Sequence, residues 1–222
     1  MHQLKVAIFD FDGTLFPEET FPLMMNHLKQ HPKYKNKYRR FITKILPIYV
    51  AYKTNFYPEQ KMKEYSMRTY ISSFKKASAK EINQFFFEIG SDMRKNLNAS
   101  VLERIDLHRK NGYYIMLVSG AFLPLLQAVT KDIPFDSIIG TSVPLKNDLF
   151  DKNTPIIHIH GARKKDKIFA QLANDSIDWE NSFAYGDSYS DLDVLELVGN
   201  PVAVKPEPRL LQIAEQRQWE VI

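Results

Sequence analysis

The chain has 222 residues, 44% hydrophobic and 25% charged, with eight glycines and twelve prolines. That is ordinary globular usage, long enough for a sizeable core and too poor in Gly and Pro for a fibrous or disordered chain. It has no cysteine, which excludes disulfides, thiolate nucleophiles, Cys-ligated zinc and iron–sulfur clusters. The net charge of +4 is unevenly placed: residues 26–80 hold 14 Lys or Arg and only Glu59 and Glu64, a net of +12, against −8 elsewhere.

In chain order, residues 4–10 (LKVAIFD) form a nearly continuous apolar run, as a buried parallel strand requires. It ends in Asp10-Phe-Asp12-Gly-Thr14, where Gly13 allows a tight turn. Residues 20–98 read as helical, with apolar positions three and four apart, as in Met67, Tyr70, Ile71 and Phe74. Within them, Ser78 to Glu81 carries a capping-box pattern that opens a helix through Phe85 to Met93. A helical insert of about 80 residues therefore interrupts something that starts with a strand. The most apolar window, 41–52, holds Lys44 and Pro47 and falls short of the ~18 residues of a spanning helix. It is expected to be an insert helix burying one face, with an interfacial membrane contact as the alternative. No charged leader precedes a long apolar stretch at the start, so a cytoplasmic protein is expected.

Alternation then resumes. A helix is predicted over 101–111, closed by Gly112, then a buried strand over 113–119 (YYIMLVS). A helix over 122–130 and a short strand over 136–140 come next. Residues 141–159 are turn-rich and read as a hairpin excursion carrying His158 and His160, side chains expected to be ordinary surface or core histidines. Further on are a helix over 164–174, a strand over 182–186, a helix over 191–198 and a strand over 201–205. Pro206 and Pro208 precede a helix over 209–216, and a last strand is expected over 219–222. The pattern implies an α/β fold: a Rossmann-like, doubly wound parallel sheet with an inserted helical domain.

In such a sheet, ligands bind beyond the carboxyl ends of the strands, and three polar clusters fall there: Asp10 to Thr14, Ser119-Gly120, and Gly186-Asp187-Ser188-Tyr-Ser-Asp191. Asp10 and Asp12 alternate with Phe11, so extended backbone puts them on one side. Three converging carboxylates repel one another, and oxygen donors without Cys or clustered His point to Mg²⁺. An aspartate neutralised in this way can attack phosphorus. A second one, two residues on, can protonate the leaving oxygen and then activate water. Ser119 and backbone N–H groups near Gly120 could hold phosphoryl oxygens.

These motifs, in this order, resemble the haloacid dehalogenase-like hydrolase superfamily over nearly the whole chain. DFDGT is similar to its nucleophile motif, VSG to its Ser/Thr motif and GDSYSD to its acidic metal motif. The ending SFAYGDSYSDLDVLELVGNPVAVKPEPRL resembles the phosphoserine-phosphatase-like subfamily. The resemblance implies a catalytic core over 1–16 and 100–222 and a helical cap over 17–99. It implies a Mg²⁺-dependent phosphomonoester hydrolase in which Asp10 is the nucleophile and Asp12 the general acid/base. Metal would be held by the Asp10 and Asp187 carboxylates and the Asp12 backbone carbonyl, with Asp191 binding or orienting a metal water. Thr14 would support the loop after the first strand, and Ser119, aided by Gly120, would bind the phosphoryl group, with Thr14 and Lys164 counted among the phosphate-binding residues. A lysine would complete the set: Lys164, one turn before Ile168 on an inward stripe, with Lys167 next. Glu19 and Arg68 would meet the amine and carboxylate of a substrate such as phosphoserine, although this cap is longer and more basic than that role requires. A small phosphomonoester is thus the expected partner, and nucleic acid is not. Two other classes remain open: a phosphotransferase or phosphomutase using the same aspartyl-phosphate, and a basic nucleic-acid or acidic-surface binding module with weak phosphatase activity.

Overall fold

The computed structural model describes residues 3–75, 77–151 and 153–222. Strand β1 (Val6–Phe9) leads into helices α1 (Thr20–Gln30), α2 (Lys35–Lys53), α3 (Glu59–Ser72), α4 (Ala79–Met93) and α5 (Ala99–Lys110). Strand β2 (Tyr114–Phe122), helix α6 (Leu123–Val129), strand β3 (Ser137–Thr141) and the hairpin β4 (Leu145–Lys146) and β5 (Leu149–Phe150) come next. The chain ends with α7 (Ala162–Gln171), β6 (Phe183–Gly186), α8 (Leu192–Leu195), β7 (Asn200–Ala203), α9 (Pro208–Gln216) and β8 (Glu220–Val221).

Six strands form one sheet in the order β3-β2-β1-β6-β7-β8, every neighbouring pair parallel. Successive side chains alternate faces. Ala7, Phe9, Ile115 and Leu117 join the core containing α5 and α6. Val6, Ile8, Met116 and Val118 join the one containing α7, α8 and α9. Both faces are covered, which is why these strands read as unbroken apolar runs. The order reverses direction between β1 and β6, so the switch point lies between the ends of the strands that carry Asp10 and Asp187.

The insert shares the first of these cores rather than forming a separate one. Tyr70 is fully buried, its ring 5.7 Å from that of Phe41 and 6.3 Å from that of Phe122 at the end of β2, and its hydroxyl donates to the Met24 carbonyl at 2.9 Å. Helix α4 lies against α6 at Gly90, where an added Cβ would meet the Ala128 Cβ at 2.8 Å. The chain leaves and re-enters the core side by side: Asn98 donates from its backbone to Leu15 at 2.9 Å and from its side chain to the Thr14 carbonyl at 3.2 Å.

Several expectations change in detail. Among the described residues the predicted helical stretch resolves into four α-helices and two single 3-10 turns with short connections, and α2 continues through Pro47. Ser78 does accept from the Glu81 N–H at 3.2 Å, while the Glu81 carboxylate turns to Lys37 at 3.5 Å. Strand β2 runs on to Phe122 with a shift of register after Val118, and such irregularities re-aim side chains near sites. The hairpin ends at Phe150, so His158 and His160 are not on it; they sit in the segment leading to α7. The hairpin turn places Asn147 and Asp148 at φ 50° and 62°, as its mirror-image turn demands.

His108 on α5 is buried, its Nε2 2.7 Å from the Tyr185 hydroxyl. Burial lowers its pKa from 6.5 to about 4. A histidine held neutral contributes stability that is complete above its unfolded pKa and lost as pH falls toward the folded one. Urea unfolding at pH 7 and pH 5 should therefore show the protein losing about 2 kcal/mol more than His108→Gln between the two. Equal losses would mean that His108 carries no such penalty.

Candidate active site

Three loops meet beyond the strand ends. Asp10 follows β1, its backbone N–H donating to the Tyr185 carbonyl on β6 at 2.9 Å. Asp187 follows β6, and Asp191 lies one turn further on. One carboxylate oxygen from each of Asp10, Asp187 and Asp191 lies within 4.8 Å of the other two. Lys164, in the first turn of α7, reaches Asp10 at 2.5 Å and Asp191 at 2.6 Å, with all three side chains under 10% exposed. Lys167 is exposed on the same helix.

The loops fit closely enough to explain their glycines. Gly13 has φ +76°, and an added Cβ would lie 2.0 Å from the Asp187 Oδ2, so only glycine lets the first loop rest on this carboxylate. A Cβ on Gly186 would stand 2.7 Å from that of Asp191. Asp191 is fixed by a reciprocal cap: its Oδ2 accepts from the Ser188 N–H at 3.2 Å and hydroxyl at 3.0 Å.

The charge is unbalanced. Burial, and then Asp191, pushes Asp10 well above the usual carboxylate range against the pull of Lys164. Burial, and then Asp191, raises Asp187 to about 7. Burial alone would lower the Lys164 pKa, but Asp10 and Asp191 raise it and keep it charged. Three carboxylates face one ammonium, so a divalent cation fits the donor set; all its donors are hard oxygens, which suits Mg²⁺.

Asp12 is turned away from this cluster toward the insert. Its carboxylate accepts from the Thr20 N–H at 3.0 Å and hydroxyl at 3.2 Å, satisfying an N–H that the start of α1 leaves free. Burial, and then Glu19, raises its pKa to about 7, where a group can give and take a proton near neutrality. Ser119 is buried at the irregularity in β2, its Oγ accepting from the Ala121 N–H at 3.0 Å, so its own O–H remains for an oxygen in the cavity. The Gly120 carbonyl accepts from the Thr141 hydroxyl at 2.7 Å, and a Cβ there would meet the His158 Nε2 at 2.6 Å.

A cavity of about 980 Å³ opens over these groups, lined by Asp10, Asp12, Glu19, Ser119, Gly120, Lys164 and Asp187 among others. Two expected contacts are not brought to it. Arg68 is exposed on α3, whose cavity-facing residues include Lys63, Ser66 and Met67. One position past Met67 swings a side chain about 100° around a helix, off the inward stripe. Thr14 is fully buried behind the first loop and lines no part of the cavity, a place that suits backing the loop and not meeting a phosphate. Thr20 and Glu207 also belong here and carried no sequence signal, because the turns that deliver them are irregular, and His158, expected to be an ordinary histidine, lines the cavity too. Glu207 accepts from the Tyr189 N–H at 2.7 Å, holding the third loop.

The crevice at the switch point of this doubly wound sheet thus gathers four aspartates and a lysine. The family model of the haloacid dehalogenase-like hydrolases matches residues 7–196, and the chain belongs to that family. It is 25% identical over 119 residues to the phosphoserine phosphatase SerB1 of Mycobacterium tuberculosis, 54% of this chain and 39% of that protein. It is equally identical over 118 residues to an "Inhibition of morphological differentiation protein" of Streptomyces azureus, 53% of this chain and 43% of that one. The matches thus span about two fifths of these relatives. A Bordetella pertussis Tohama I protein of unknown function superposes over 100% of this chain and 99% of its own with a TM-score of 0.83 at 20% identity. A substrate-bound phosphoserine phosphatase does so over 100% and 94% with a TM-score of 0.61, also at 20% identity.

Proposed function

We propose that the protein hydrolyses phosphomonoesters through an aspartyl-phosphate on Asp10. The observation that carries this reading is the buried Asp10–Lys164–Asp191 chain at the floor of an open cavity, with the uncommitted Ser119 hydroxyl beside it. Asp10, Asp187, Asp191 and the Asp12 backbone carbonyl would hold Mg²⁺, which when bound screens the approach of a carboxylate to a phosphate dianion. The Asp10 carboxylate attacks phosphorus, the bond from phosphorus to the ester oxygen breaks, and Asp12 gives that oxygen its proton. Water then attacks the acyl phosphate as Asp12 takes a proton back, freeing inorganic phosphate and restoring Asp10. Ser119 and the Gly120 backbone bind phosphoryl oxygens, and Lys164 holds the nucleophile in place. In this reading residues 1–16 and 100–222 perform the chemistry and residues 17–99 choose the substrate.

Phosphoserine would need its amine and carboxylate recognised. Glu19 faces the cavity, but Arg68 does not. The lysines there are engaged, Lys164 by the floor and Lys63 by Glu59 at 3.0 Å.

The test is phosphate release from p-nitrophenyl phosphate and a panel of phosphomonoesters, with Mg²⁺ and with chelator. Release with Mg²⁺ that falls at least about a hundredfold on chelation is expected. Equal release in both, or none with any ester, would sink the reading.

A further inference from the structure

The walls of the cavity do not match a small, doubly charged metabolite. Above the floor they are made by α1, α2 and α3, with Phe21, Met25, Ile42, Ile45, Leu46 and Met62 facing in. Among the described residues lining it there is no arginine. The acids outside the floor are exposed: Glu59 is paired with Lys63, Glu207 accepts from the Tyr189 N–H, and Glu19 stands beside Asp12. At about 980 Å³ the space is at the upper end of pockets that enclose drug-sized ligands. It joins a polar floor suited to one phosphate to a long apolar wall.

That wall continues onto the outside of the molecule. Leu46 and Tyr49 line the cavity yet are 54% and 44% exposed. Val50 and Phe56 extend the same apolar strip beyond it at 52% and 85%. Large apolar side chains left in water at a pocket mouth mark a place where something apolar is met. Lys53 is exposed on the same face of α2, its ammonium 5.6 Å from the rings of both Tyr49 and Tyr52. A strip of apolar and aromatic groups that ends in a lysine is suited to an anionic lipid interface. Among the described residues no helix is long and apolar enough to cross a membrane.

We propose, resting on the phosphomonoesterase reading above, that the substrate is a phosphomonoester of a long-chain amphipath presented by a lipid bilayer. Its phosphate reaches Asp10, its chain lies along α1 to α3, and the outer strip of α2 and the turn after it rests on the bilayer. The reaction is the hydrolysis already described, with the lipid alcohol as leaving group.

The test uses soluble alkyl phosphates from butyl to octyl, then dioleoyl phosphatidic acid in phosphatidylcholine vesicles. Relative kcat/KM should rise by about threefold per methylene, in keeping with burial of each CH₂, and phosphoserine should fall below butyl phosphate. Leu46→Asp, at an exposed position where folding is not at stake, should lower the octyl-to-butyl ratio about tenfold. Val50→Glu with Phe56→Glu should lower the ratio of vesicle to octyl phosphate turnover at least about tenfold. A flat chain-length series would overturn the apolar-chain assignment. A rising series with vesicles left untouched would overturn the bilayer as the source. Should no ester be hydrolysed, the hydrolase reading fails separately; the same alkyl series is then read by thermal shift with Mg²⁺, where a rise in Tm with chain length supports the pocket and a constant Tm rejects it.

Discussion

Asp10→Asn abolishes phosphate release: kcat is expected to fall by at least about 10³-fold, the scale seen when a residue that attacks the substrate is removed. The replacement keeps the shape of the side chain and an oxygen for the Lys164 ammonium, 2.5 Å away in the native protein, so the fold should survive. It also removes a carboxylate that burial and Asp191 already hold well above its usual range, and the metal-free melting temperature should therefore hold or rise. Loss of activity with an undiminished melt separates chemistry from stability. A variant that keeps a tenth of the native rate would show that another group attacks phosphorus.

Lys164→Met is expected to act on stability first. Asp10 and Asp191 share that single ammonium in a site where all three side chains are buried. Taking one partner from a buried ion pair costs about 3–5 kcal/mol, because the charge left behind has lost its solvation. The penalty should vary with pH in a definite sense. Without the ammonium, the folded pKa of Asp10, already raised, rises further above its unfolded value. A carboxyl raised in this way is tolerated while protonated and becomes costly as pH climbs through its folded pKa. Urea midpoints should show a small deficit near pH 5 that widens toward pH 8, and Mg²⁺ should recover part of it. A deficit independent of pH would mean that the loss is one of packing. Arginine should not rescue the site, since a planar fork cannot replace a compact ammonium between two carboxylates.

How much of this was readable depends on how far each feature is set by local pattern. The sheet was legible because β1, β2 and β6 are covered on both faces and so are written as continuous apolar runs. The insert was legible because helical periodicity replaces those runs between Asp12 and Asn98. The aspartates stood out because strand ends in a doubly wound sheet are where sites fall. Lys164 could be singled out from Lys167 by the stripe it shares with Ile168, which is fully buried. What sequence did not yield lies in loops and phases. Arg68 was one helical position from facing the cavity. Thr14 carries the right residue type but lies behind the loop. Thr20 meets Asp12 only because the turn between them folds back, and no periodicity encodes that.

The Asp12–Thr20 contact has a consequence for how such a protein could be rebuilt. The side chain read as proton donor belongs to the core, but the N–H and hydroxyl that orient it belong to Thr20, the first helical residue of the insert. Exchanging residues 17–99 for another helical segment would change the substrate chamber and, in the same stroke, the rotamer and acidity of Asp12. A chimaera that preserves every motif aspartate can therefore lose turnover unless it also preserves a hydroxyl-bearing residue at position 20. On the proposed reading specificity and proton transfer are recombined together, and the seam for domain grafting lies after Thr20, not before it.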